Sequence, residues 1–480
     1  MREEDFSFFE EEDFKENLAR YEAMLNGGPS AYLEADELTD IAEYYLTQGD
    51  TDKANACIDY ALTLHPDSID PLIFKARQHM FSGNLAKAQK ICDSIQEQND
   101  REVIFLHAEL LIRKRDINEA LNYLTEQKKW FADDRKDLYA YLYDCACILE
   151  DYAYYEKALE WTEEAEKISG PNLKLMFLKA EIYSIQEKYE KAAEYLDKIL
   201  DENPYSLKSW NMLADTFFMR EMYDKAIEAA EFSLAIKEKG NPEALFTKAN
   251  SVYHLGNFEK AHQLYSQYID EFPKSDEYPY LFDGLCLNQM ERYEDACSRL
   301  EAAEEFSNDC SPEQLQIYLQ LSFSYSKVGK FQKALLYLDR ARNYEPDGFD
   351  YEVLKGHVLL ENGFIQEAME CFQKAKEEST DRERAYFLIA VSLFENNLYA
   401  DALENFYELL EFCSAQTEIN CTPYMAYCFY YAKDEVQYLK YLERSCATNP
   451  EGTKMVLGSL FPEALDPKEY YAYVTRHNRM

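Results

Sequence analysis

Apolar side chains recur along most of this chain at i, i+3 or i+4, and i+7, the spacing of one face of an α-helix. Leu38, Ile41, Ala42 and Tyr45 make one such stripe, and Ala54, Ile58 and Ala61 make the next. Gly49 lies between them and supplies the backbone freedom that a tight reversal needs. The same pattern then begins again. Residues 256–273 read GNFEKAHQLYSQYIDEFP and residues 329–346 read GKFQKALLYLDRARNYEP, both opening Gly-x-Phe-x-Lys-Ala and closing in Pro. No stretch shows the alternation of a strand. The pattern predicts an all-α chain built from pairs of amphipathic helices.

The pairs are periodic. An alanine in matching context stands at Ala54, Ala88, Ala120, Ala158, Ala192, Ala226, Ala261, Ala296, Ala334, Ala368 and Ala402, in steps of 34, 32, 38, 34, 34, 35, 35, 38, 34 and 34 residues. Twelve residues before each marker stands a second small residue, for example Ala42, Ala214, Gly284, Ser322 and Gly356. Three before it is usually a ring or a large aliphatic, such as Tyr223 or Phe258, and Pro66, Pro204, Pro273 and Pro346 close units twelve after it. Small residues in register let two helices approach closely, and proline cannot continue a helix. Such a unit cannot bury its apolar face alone, so it stacks on its neighbours.

These residues resemble the tetratricopeptide repeat, a helix–turn–helix of about 34 residues. Residues 207–239 carry its tryptophan in SWNMLADTFF. The resemblance covers about twelve units and implies an all-α, right-handed superhelical solenoid over residues 35–450. An acidic N-terminal capping helix is expected over 1–34 and capping helices over 451–480, because a terminal repeat has an unpaired face. The connections near 130–138 and 306–314 are about four residues longer than the period requires. The unit around 419–450 has Tyr438 where the marker alanine belongs.

In the family the resemblance points to, the first helix of each unit lines a concave face. Carried over by register, the candidate partner-binding residues are Arg77, Phe105, Glu109, Tyr143, Phe177, Glu181, Asn211, Asp215, Phe246, Asn250 and Tyr253. Rings give contact area at low entropic cost, and polar groups fix register. Asn211, Asp215 and Asn250 have no evident core role in this register. The lysines, asparagines and arginine with which some members clamp a peptide carboxylate are missing. Phe246, Tyr278 and Phe282 stand in one set of those places and Glu102 and Leu106 in another.

Composition narrows the partner. The 480 residues carry a net charge of −41, so phosphate backbones and anionic lipids are repelled and a basic protein or peptide is favoured. No run of 18 apolar residues occurs, and the start MREEDFSFFEEEDF lacks the basic and apolar regions of a secretory signal. The twelve cysteines contain no C-x-x-C pair, and reduced core thiols in a cytoplasmic protein are expected. His254 and His262 straddle a turn, but no pair of histidines has metal-ligand spacing. No nucleophile elbow or phosphate loop is present. The expectation is therefore a non-enzymatic scaffold with no cofactor and no metal. Two other readings stand beside it. The aromatic C-terminal segment, with Phe429, Tyr430, Tyr431, Tyr438, Tyr441, Tyr470, Tyr471 and Tyr473, offers a face for a homo-oligomer. A ligand-gated regulator would need a DNA-binding segment, and residues 1–34 are too short and too acidic to supply one.

Overall fold

The computed structural model describes residues 8–9, 11–28, 32–237, 239–273, 276–307, 313–344, 348–462 and 464–477. Pro346, the first seven residues and most of the long connection near 306–314 lie outside the described residues. Every regular element among the described residues is helical. No described helix is long and apolar enough to cross a membrane.

Each repeat folds as a hairpin for reasons that can be read at its turn. In Ala35–Thr47 followed by Thr51–Leu64, Gly49 takes φ 75°. Its N–H bonds the Leu46 carbonyl and the next N–H reaches back to the Tyr45 carbonyl, a Schellman-type ending. Asp50 then caps the second helix by accepting from the Lys53 N–H at 3.1 Å. Asn257 repeats the arrangement, accepting from the Lys260 N–H at 3.2 Å after Gly256 at φ 77°. The same left-handed position recurs at every turn of the array. Glycine fills it at 49, 83, 256, 329 and 363, whereas Arg115, Ala153, Glu187, Glu221, Glu291, Asn397 and Lys433 adopt it with φ between 58° and 66°.

Packing explains the two small columns. Every marker alanine from Ala54 to Ala402 is fully buried. Where the other column holds glycine, the partner helix fills the space. A Cβ on Gly284 would lie 2.6 Å from Leu300, and one on Gly356 would collide with the Phe372 ring.

The chain forms two compact units, Met1–Arg220 and Glu221–Met480. The first opens with helix Glu12–Leu25, whose buried Phe14 and Tyr21 pack on the first hairpin. Four more hairpins follow: Ile69–Phe81 with Leu85–Ser94, Arg101–Arg113 with Ile117–Gln127, Arg135–Asp151 with Tyr155–Ser169, and Leu173–Ile185 with Tyr189–Glu202. Helix Leu207–Met219 ends the unit. The longer connection before Arg135 is a short 3₁₀ turn, Lys128–Phe131, and Phe131 stacks on Tyr141 at 4.4 Å.

The second unit begins with helix Tyr223–Ile236. Six hairpins follow: Pro242–His254 with Phe258–Glu271, Tyr278–Gln289 with Tyr293–Phe306, Gln314–Lys327 with Phe331–Ala341, Gly348–Glu361 with Ile365–Glu378, Arg382–Glu395 with Tyr399–Leu410, and Ala415–Ala432 with Glu435–Thr448. In the last, Tyr438 is itself buried. Helices Pro450–Leu457 and Tyr470–His477 close the unit, with Phe461 stacked on Tyr470 at 3.9 Å.

Candidate functional site

In the first unit, the first helices of four successive hairpins line one cleft of about 810 Å³. The size falls within the usual range for ligand pockets. Helix Ala35–Thr47 contributes Asp36, Asp40, Glu43 and Leu46; helix Ile69–Phe81 contributes Asp70, Ile73, Phe74, Arg77 and Phe81. Helix Arg101–Arg113 adds Glu102, Glu109 and Arg113, and the Arg135–Asp151 end adds Ile148, Asp151 and Tyr152. Apolar side chains share the lining with seven carboxylates and two guanidinium groups.

Both guanidinium groups are already engaged. Arg77 donates to Glu109 at 2.9 Å and to Glu102 at 3.4 Å. Arg113 lies over the Phe81 ring at 4.8 Å and the Tyr152 ring at 5.4 Å, and donates to the Tyr152 hydroxyl at 3.1 Å. Asp36, Asp40 and Asp70 have no ion pair among the described residues. Burial pushes the half-buried Asp40 carboxyl up to about 7, and Glu43, Asp36, Asp70 and Glu37 add to the rise. Burial and Asp36, Asp100 and Glu102 raise Asp70 in the same way.

Among the residues expected on a binding face, Arg77 and Glu109 meet in this cleft. Phe177 and Glu181 also come together, through Lys208. Its ammonium lies 4.4 Å over the Phe177 ring and 3.2 Å from Glu181. Tyr143 is half-buried beside Tyr139. Phe105 is 2% exposed and stacks on Tyr141, so its ring belongs to the core. Asn211 is buried and Asp215 exposed.

In the second unit, Phe246 packs edge-on to Tyr265 and Phe282, and Tyr253 packs on Phe258 and Phe282. Asn250 does have a structural role, against the expectation from register: it accepts the Tyr265 hydroxyl at 2.5 Å. His254 stacks on Tyr223, while His262 bonds Asp283 at 2.5 Å. The two histidines flanking the turn thus serve different contacts. No cluster of potential metal ligands occurs among the described residues.

Further along the second unit, three successive first helices are tied by charge. Lys327 lies 2.7 Å from Glu361 and 3.1 Å from Glu395, and His357 lies 3.3 Å from Glu361. Burial works against the Glu361 carboxylate, yet bonds from His357, Lys327 and Ser326 hold it down at about 2. The aromatic C-terminal segment is largely internal: Phe429, Tyr438, Tyr441 and Tyr470 are buried, leaving Tyr430 and Tyr431 about half exposed.

Reading by register missed Asp36, Asp40, Asp70 and Arg113. The first two, with Glu43, recur at i, i+4 and i+7 on one helix, a signal submerged in an acidic chain.

The family model described as anaphase-promoting complex, cyclosome, subunit 3 matches residues 219–303 and 327–409, and a tetratricopeptide repeat model matches 177–239. No curated protein matches the chain. Among solved structures, the chain is similar to one from the Cut9–Hcn1 hetero-tetramer of the APC/C, at 14% identity and a TM-score of 0.37 over 93% of this chain and 98% of that one. It is also similar to a tetratricopeptide repeat protein from Parabacteroides merdae, at 18% identity and 0.38 over 62% and 99%. A third is YrrB, described as having an unusual peptide-binding site, at 18% identity and 0.34 over 40% and 95%. Helix hairpins in one register, buried small columns in that register and the two family models make this chain a multi-repeat tetratricopeptide-repeat protein.

Proposed function

We propose that this protein is a non-enzymatic scaffold that binds a basic protein or peptide through the first helices of its repeats. The observation that carries the reading is the cleft of the first unit, which side chains from four repeats line with apolar groups, seven carboxylates and two guanidinium groups. The net charge of −41 adds long-range attraction for a cationic partner. The eleven described cysteines are free thiols, nine of them buried, which favours a reducing compartment such as the cytoplasm.

The test is amide hydrogen exchange on the protein with and without a partner captured from its native source. Protection confined to helices 35–47, 69–81 and 101–113 is the expected result. Protection confined to the second helices, or to the C-terminal segment, overturns it. Self-assembly remains a second reading because the C-terminal segment exposes Val436 and Met455 by about three-quarters and Tyr430 and Tyr431 by about half. Light scattering that returns the monomer mass across a hundredfold concentration range would remove it.

A further inference from the structure

We propose that a cavity at the C-terminal end of the second unit binds a small molecule that carries one carboxylate on an apolar body. None of its lining residues belongs to the cleft of the first unit, so this site and the scaffold reading stand or fall separately.

The last hairpin departs from the repeat at Tyr438, which stands where the other units bury an alanine. Tyr438 is only 6% exposed, yet its hydroxyl has no hydrogen-bond partner among the described residues. Buried tyrosine hydroxyls ordinarily find one. Tyr141 donates to the Leu124 carbonyl at 2.7 Å, and Tyr337 donates to Glu304 at 3.0 Å. Tyr438 lines a cavity of about 400 Å³ between the last hairpin and the closing helices. Phe429 and Tyr430 reach it from helix Ala415–Ala432, Phe461 from the chain between the closing helices, and Tyr473 from the last helix. Lys433, in the hairpin turn, also lines it; this lysine is exposed and has no ion pair among the described residues.

The chemistry of the ligand follows from this lining. Burial, with Tyr430 and Cys446 nearby, pushes the Tyr438 hydroxyl up to about 12, so it stays protonated and donates. The Lys433 ammonium is a donor as well. A carboxylate accepts from both through charge-assisted hydrogen bonds. Glu435 also lines the cavity, and a second negative charge on the ligand would meet it, so a single charge fits. The surrounding rings favour an aromatic or aliphatic body. The volume takes a ring with a short chain, as small-molecule sites do.

The test uses phenylbutyrate, titrated into the full-length protein near neutral pH and followed by saturation-transfer nuclear magnetic resonance. Butyrate removes the ring, while phenylbutyramide and phenylbutylamine replace the carboxylate. Lys433→Gln and Tyr438→Phe each remove one donor. Lys90→Gln neutralises an exposed lysine on a second helix of the first unit. Thermal melts confirm that the variants are folded. Lys433 is exposed, so its variant serves alone if Tyr438→Phe does not fold.

Phenylbutyrate should bind, and each of the three analogues should bind at least about tenfold more weakly. Lys433→Gln should weaken binding by about tenfold and Tyr438→Phe by about threefold or more, while Lys90→Gln stays within about twofold of wild type. Absence of binding at millimolar phenylbutyrate overturns the site. Amine or amide binding equal to that of the acid overturns the choice of carboxylate. Unchanged affinity in either donor variant overturns the placement in this cavity, as do equal losses in Lys433→Gln and Lys90→Gln.

Discussion

Ala153 adopts φ 63° in the turn before Tyr155–Ser169, at a place where other repeats use glycine. A left-handed conformation costs an L-residue about 1–2 kcal/mol, part of which glycine returns through its freer unfolded chain. Ala153→Gly is therefore expected to stabilise the protein by about 0.5–1 kcal/mol, read as a higher urea midpoint at unchanged slope. Asp40 poses the opposite problem, since its folded carboxyl titrates near 7, above the ordinary 3.8. A raised pKa favours the folded state while the group is protonated, and that advantage is lost as pH climbs from about 4 through 7. Asp40→Asn should leave stability nearly unchanged at pH 4 and raise it increasingly toward pH 8. Melting temperatures of wild type and variant across that range check the sign. A gap that shrinks with rising pH would contradict the assignment. The recurring turn was legible in the sequence only where glycine marks it. Glu187 and Glu291 hold the same conformation without any local signal, in hairpins whose two helices pack against each other.

At the scale of elements, the hairpins follow directly from the apolar period, the turn glycines and the Asp or Asn caps. The site does not follow from them. Register carried over from the family places Phe246 and Tyr253 on a binding face, yet both rings pack against Phe282 and the second helix of their own hairpin. Large rings at those positions fill the space between repeats, and only the surrounding side chains decide how much remains open. The same holds for charge, since the network of Lys327, His357, Glu361 and Glu395 needs three first helices to be aligned before it exists. Its pH dependence runs opposite to that of Asp40. Glu361 is held near 2, below its ordinary 4.5, so its contribution is complete above 4.5 and lost as pH falls toward 2. Glu361→Gln should destabilise at pH 7, by less at pH 3, and the difference should close near pH 2. Chemical denaturation at those three values measures it.

For the whole chain the dominant fact is 91 acidic residues against 50 basic ones. Self-repulsion of that size opposes the compact state and is screened over about 10 Å at 0.1 M salt. Raising sodium chloride from 0.02 to 0.3 M should increase the melting temperature, and the same salt should weaken capture of a basic partner. A melting temperature that falls over this range would show that local ion pairs outweigh the net field. Charge read from composition thus sets the sign of the long-range field, and the scaffold reading proposed above takes a partner of the opposite sign.

The nine buried thiols carry a further consequence. Cys57, Cys92 and Cys145 are spaced over three hairpins of the first unit, and Cys286, Cys297, Cys371, Cys421, Cys428 and Cys446 over three hairpins of the second. A sealed thiol reacts with an alkylating reagent only when its own hairpin opens. In a stacked array each hairpin's stability depends on its immediate neighbours. The chain therefore carries a built-in series of clocks, and pulsed alkylation read peptide by peptide would report the order in which the repeats come apart.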